Sequence, residues 1–267
     1  MEAQFVSNSG WNFKSSSSYV TLSAWVRSSL AGTYYGWLNS RDGTNKTYTF
    51  SYTLSANTWT KVTKTIPGNS GIDIHNNTEE GLIVHFIPWY GTYYTTSGHT
   101  LDAWQTSSST NRTPDYSQNW ANTSNATFDV TGVQLEVGEQ ATPFEHRSFG
   151  EELTRCHRYY QKLSGAALSY YGTGNIDGGN DAQILVDLIT EMRAAPSSLE
   201  TSGTASDYFI RVTSNATCTS VPTLSNRTKK NALVEFYSSS HGFTSGHSCF
   251  GRAANVSDSY LAFNAEI

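Results

Sequence analysis

The sequence predicts an all-β protein, two antiparallel β-sandwiches joined by one short helix, and three observations carry that expectation. Short segments of alternating apolar and polar residues recur over 19–137 and again over 164–267, separated by Gly, Asn and Ser. That is the pattern of strands turning one face to a core and the other to water. Near Ser148 the period of two gives way to apolar spacings of three and four, the mark of an amphipathic helix. The length, 267 residues, exceeds a usual single domain and suggests two at roughly 150 residues each.

Taken in order, Tyr19–Val26 (YVTLSAWV) is the clearest strand, and others are expected at 48–54, 58–66, 81–87 and 127–137. Asp42-Gly43 and Gly68-Asn69-Ser70-Gly71 supply turn residues that tolerate positive φ. Ser148-Phe149-Gly150-Glu151 fits a capping box and starts a helix over about 149–162. Leu153, Cys156, Tyr159 or Tyr160, and Leu163 then share one face that packs against a sheet, with Cys156 as a small buried group. Further strands are expected at 166–171, 183–189, 208–213, 232–237 and 259–266. Met192–Pro196 reads as a strand end that crosses between sheets, since proline deprives a ladder of a donor.

Composition excludes several functions. A net charge of −5, with Arg227, Lys229 and Lys230 as the one basic cluster, argues against nucleic-acid binding, which needs cations against phosphates. No apolar run reaches the roughly 18 residues that cross a bilayer, and MEAQFVSNSG lacks the basic and apolar regions of a signal peptide, so neither membrane insertion nor export by that route is expected. Cys156, Cys218 and Cys249 cannot all pair within one chain and read as reduced structural thiols. His241, His247 and Cys249 form H-x5-H-x-C, but a fourth ligand and tight spacing are missing, and no loop has a recognisable calcium-ligand spacing. No metal and no cofactor is expected. Carboxylate pairs such as Glu79/Glu80, Glu151/Glu152 and Asp73/Asp102 have no context that sets them across a glycosidic bond, and nucleophile-elbow and phosphate-loop motifs are absent. An enzyme is therefore not expected.

Aromatic residues are the candidate ligand groups. Pro88–Tyr94 is a loop bracketed by Pro and Gly that carries Trp89, Tyr90, Tyr93 and Tyr94, and Tyr35 and Trp37 lie in a second cluster. Such rings stack on the apolar face of a pyranose while neighbouring amides and hydroxyls bond its hydroxyl groups, and the same rings equally suit packing or an oligomer interface. Trp25, Trp59 and Trp104 lie in strand-like segments and read as core residues, as do Tyr159 and Tyr160.

Four ordered segments, VTLSAWVRSS (20–29), NTWTKVTKTIPG (57–68), EGLIVHF (80–86) and FDVTGVQLEVG (128–138), resemble the carbohydrate-binding jelly-roll modules of phage tail fibres. ATPFEHRSFGEELTRCHRYYQ (141–161), VDLITEMRAAPSSLE (186–200) and SDSYLAFNAEI (257–267) resemble the C-terminal domain of the same fibres. The resemblance implies a carbohydrate-binding-like jelly roll over 1–140 and a fibre-tip β-sandwich over 141–267, opening with the helix. It implies a homotrimeric virion appendage, assembled in the host cytoplasm and exposed on the particle surface, that contacts other tail or capsid proteins and binds host cell-surface polysaccharide for adsorption. The alternative is a purely structural virion protein: a capsid decoration, fibre connector or tail subunit. A jelly roll normally has a strand ahead of VTLSAWV, and Phe5–Phe13 is the candidate for it.

Overall fold

A computed structural model describes residues 1–239 and 241–266. The protein is all-β, built from antiparallel sheets, and divides into two compact units, Met1–His146 and Arg147–Glu266.

The first unit has seven strands: β1 (Tyr19–Ser28), β2 (Gly32–Ser40), β3 (Lys46–Leu54), β4 (Thr60–Pro67), β5 (Leu82–Ile87), β6 (Trp104–Thr106) and β7 (Phe128–Val137). They form a three-stranded sheet in the order β4-β1-β7 and a four-stranded sheet in the order β5-β2-β3-β6. Alternation explains the seating. Val20, Leu22, Ala24 and Val26 of β1 meet Tyr34 and Leu38 of β2 and Phe50, Tyr52 and Leu54 of β3 in one core. At roughly 1.5–3 kcal/mol per buried large side chain, this face supplies most of the drive to close the sandwich.

Three expectations fail here. Phe5–Phe13 contains no strand; Ala3–Ser7 is a short helix, α1, whose first donors are taken by carbonyls of a loop, Ala3 N–H to Glu79 O at 2.9 Å and Gln4 N–H to Asn77 O at 2.8 Å. Ala3, Val6 and Trp11 are buried in the core. Trp25 and Trp59 are 43% and 40% exposed, because they occupy the outer face of the three-stranded sheet, where the Arg27 guanidinium lies 4.9 Å from the Trp59 ring. Trp104 does pack on the core, its indole N–H donating to Pro67 O at 2.6 Å.

The second unit opens with α2 (Phe149–His157) and continues with β8 (Tyr160–Ser164), β9 (Tyr170–Ile176), β10 (Asp181–Asp187), β11 (Ser198–Thr201), β12 (Tyr208–Arg211), β13 (Asn215–Thr217), β14 (Thr223–Arg227), β15 (Asn231–Tyr237), β16 (Ser248–Ala253) and β17 (Tyr260–Asn264). A seven-stranded sheet, β13-β12-β16-β9-β10-β15-β14, and a three-stranded sheet, β11-β17-β8, enclose a core that includes Ile184, Tyr208, Val234, Phe236 and Phe263. Between β10 and β11 the segment 188–197, which contains Met192–Pro196, carries the chain from the large sheet to the small one.

The capping box of α2 is formed, with Glu151 N–H donating to Ser148 Oγ at 3.3 Å and Ser148 N–H donating to Glu151 Oε2 at 3.1 Å. These bonds to Ser148 hold the Glu151 carboxyl below its ordinary value. The helix is shorter than the expected 149–162. Residues from Tyr160 onward pair instead with β17, Leu163 opposite Leu261, which brings Leu163 against the core of the second unit. The expected packing of the helix face also fails: no residue of α2 is buried, Cys156 is exposed, and Leu153 and Phe149 are 40% and 81% exposed. The strand expected at 166–171 lies instead at 170–176, where a Cβ on Gly174 would stand 1.7 Å from Gln183 O of the neighbouring strand. Glycine is required there by the close approach of β10, which hides the strand from propensity.

Candidate functional site

In β2 the inward positions are Tyr34, Gly36, Leu38 and Ser40, so Tyr35, Trp37 and Asn39 point to the outer face of the four-stranded sheet. The register places Thr49 and His85 on either side of Trp37, and Thr47 beside Asn39 with Gln105 beyond it. An outward row of aromatic, imidazole, amide and hydroxyl groups thus crosses all four strands. Chain from 88–103 and 107–116 borders this face, and the two segments are tied together by Arg112 N–H to Tyr94 O at 2.9 Å and Thr96 N–H to Thr113 O at 3.0 Å.

The result is a cleft of about 530 Å³ with Trp37, Asn39, Thr47, His85, Gln105 and Arg112 among its lining residues. That volume lies within the range of small-molecule sites. Arg41, His99, Asn45, Ser107–Ser109 and Asn111 complete much of the rim, and no Asp or Glu lines it.

Three side chains are held firmly. Asn39 is 6% exposed, and its amide nitrogen lies within hydrogen-bonding distance of Asn45 Oδ1 at 2.9 Å, Lys46 O at 2.8 Å and Ser107 Oγ at 2.8 Å. With the nitrogen so committed, Asn39 Oδ1 has no protein donor among the described residues and remains an acceptor for a ligand hydroxyl. His99 bonds through both ring nitrogens, to Asn111 Oδ1 and to the Thr49 hydroxyl, each at 2.9 Å. Because Asn111 Oδ1 can only accept, Nδ1 is the donor in that bond. Arg112 lies over three rings, 5.9 Å from Trp37, 5.9 Å from Tyr90 and 5.0 Å from Tyr94, and its Nε donates to Ser109 O at 3.2 Å. Burial, followed by the Arg112 and Arg41 charges, holds His85 below the ordinary imidazole value, with Glu80 opposing.

The aromatic residues singled out from sequence fall in distinct places. Trp37 lines the cleft, with its ring 5.0 Å from His85 and 5.9 Å from Tyr90. Tyr90 and Tyr94 meet in a tilted contact at 5.5 Å and Tyr93 meets Tyr94 edge-on at 4.9 Å while remaining 72% exposed; none of the three lines the cleft. Tyr35 is buried, edge-on to Tyr116 at 4.9 Å, with its hydroxyl donating to Asp115 O at 3.3 Å, and does not line the cleft. Trp89 is half-buried and has no ring partner among the described residues.

Sequence reasoning missed Asn39, His85, His99 and Arg112. Only His85 left a legible signal. Within Leu82–Phe86 it falls at the outward parity of a strand whose inward residues are all large and apolar. In the second unit Cys249 is buried in the core while His241 and His247 are exposed, and no group of three His, Cys, Asp or Glu residues comes together among the described residues. None of the three cysteines is in a disulfide. Among the described residues, no helix is long and apolar enough to cross a membrane. No protein-family model matches the chain, and neither a curated protein nor a solved structure matches it significantly.

Proposed function

We propose that the chain is a phage virion appendage protein, a tail fibre or fibre tip, that binds host surface glycan for adsorption through the cleft on the four-stranded sheet. The observation that carries this reading is the composition of that cleft. A strand-borne row of polar groups lies beside the ring of Trp37, which makes a tilted contact with Tyr90, itself tilted against Tyr94, and sugar recognition pairs hydroxyl partners with aromatic rings in this way. The lining offers amides, hydroxyls, imidazoles and guanidinium groups but no carboxylate pair, which favours binding over glycoside hydrolysis. The resemblance of 20–138 and 141–267 to tail-fibre modules supplies the virion setting and the homotrimer. With three chains per fibre, weak single sites gain avidity by about 10²–10⁴.

A second reading, a purely structural virion component, is favoured by α2, whose Phe149, Leu153 and Cys156 are uncovered and whose apolar face suits a protein interface. Binding of the purified protein to a printed panel of bacterial surface polysaccharides, with oligomeric mass measured on the same sample, separates the two. The glycan reading predicts saturable binding that Asn39→Ala weakens by about three- to tenfold, the effect of one hydrogen bond. A well-folded oligomer that binds no glycan supports the structural reading instead.

A further inference from the structure

We propose that the glycan taken by this cleft is acidic, and that a sugar carboxylate or sulfate docks on the terminal nitrogens of Arg112. This rests on the glycan-binding reading and narrows it to a ligand class.

The first support is the state of Arg112. Its Nε is bonded to Ser109 O, whereas its two Nη groups have no protein acceptor, and no carboxylate lies within ion-pair distance among the described residues. By contrast, the other arginine of the rim, Arg41, is paired with Glu80 at 3.3 Å. The rings of Trp37, Tyr90 and Tyr94 lie against the Arg112 guanidinium and restrict its position, which leaves the Nη edge as the bonding direction. A guanidinium fixed by ring contacts and open along that edge is arranged for the two-point hydrogen bonding that carboxylates and sulfates provide.

The second support is local charge. Residues 1–146 contain 7 Lys and Arg against 11 Asp and Glu, so an average patch of this unit is acidic. The cleft runs against that average, with two arginines and no acid in its lining. A neutral glycan needs no such segregation, whereas an anionic one is repelled by an acidic surface unless its seat is cationic.

The third support is reach. Arg112 and the unpaired Oδ1 of Asn39 line the same cleft, so an anion held by the first leaves a hydroxyl of the same or the next sugar for the second.

The test uses the full chain and three sets of tetrasaccharides: hexuronates, their carboxyl-reduced neutral counterparts, and sulfated versions of the neutral set. Calorimetric titration is expected to show the hexuronates or the sulfated sugars binding about 10- to 100-fold more tightly than the neutral ones, with affinity falling as salt rises. Which anionic set binds more tightly identifies the substituent. Arg112→Gln should abolish the acid-over-neutral preference, Arg112→Lys should retain part of it, and Asn39→Ala should weaken both classes alike. The bonds of the Arg112 backbone survive these substitutions, and an unchanged circular dichroism spectrum and urea midpoint establish that the variants are folded. Equal affinity for acidic and neutral sugars, or an undiminished preference in Arg112→Gln, would overturn this proposal and leave the glycan reading standing. No binding by any of the three sets would overturn both.

Discussion

Two tyrosines stack 6.1 Å apart in the core of the first unit, and removing the hydroxyl from each should change stability in opposite directions. Tyr34 is fully buried, and its hydroxyl donates to Leu30 O at 2.8 Å and accepts from Ser28 Oγ at 2.8 Å. Tyr34→Phe leaves a part-buried carbonyl and a buried hydroxyl without this partner, which costs about 1–3 kcal/mol. Tyr52 is buried beside it, but its hydroxyl has no hydrogen-bond partner among the described residues, and burial pushes its pKa up. Tyr52→Phe removes a polar group already desolvated without compensation, so the variant should match the parent or exceed it by about 1 kcal/mol. All seven tryptophans, from Trp11 to Trp120, lie in residues 1–146, so indole fluorescence in the full chain reports this unit alone. In urea, with a slope on the order of 2 kcal/mol per molar, Tyr34→Phe should lower the midpoint by about 0.5–1.5 M, while Tyr52→Phe holds or raises it. Equal losses in the two variants would show that the Tyr52 hydroxyl contributes as much as that of Tyr34, and would refute the reasoning.

Two further predictions follow from burial and charge. Burial raises the Cys218 thiol to about 12 and the Cys249 thiol to about 11, whereas Cys156 is exposed, so a maleimide at neutral pH should label one thiol per native chain and three after denaturation; rapid labelling of a second in the native state would contradict the packing of the second unit. His85 is held below its ordinary value by burial and by Arg112 and Arg41. The unfolded chain therefore takes up this proton first as pH falls, and stability present above the unfolded value near 6.5 is lost as pH drops towards the folded value. Midpoints for the first unit between pH 7.5 and 5 should fall less steeply in His85→Gln than in the parent, and parallel slopes would remove His85 from the account.

Much of the fold was legible because burial on one face writes itself into a strand as alternation. β1, β3, β4, β5 and β7 of the first unit, and β10, β12, β15 and β17 of the second, lie where the period of two indicated, within a few residues. The box at Ser148–Glu151 also announced its helix, since a cap is made by side chains three residues apart and needs no distant partner. β2 was not legible as a strand. It is covered on both faces, so Tyr34-Tyr35-Gly36-Trp37-Leu38 shows no alternation and reads as an aromatic cluster.

The same distinction governs the candidate site. Sequence alone determined the all-β class, the capped helix and the aromatic supply at 35–37 and 89–94, because composition and short-range periodicity are local properties of the chain. Tertiary structure decided what those rings do. Tyr35 is closed off by Tyr116, eighty-one residues away in sequence, whereas Trp37, two residues from Tyr35, meets His85 across a strand pair and Arg112 across a loop. The end of α2 was likewise decided by a distant partner, because β17 offers Tyr160–Ser164 a ladder that no local signal encodes. Non-local pairing sets the register of the sheet and the path of the bordering loops, and these bring Asn39, His85, His99 and Arg112 to one cleft from segments with no common motif.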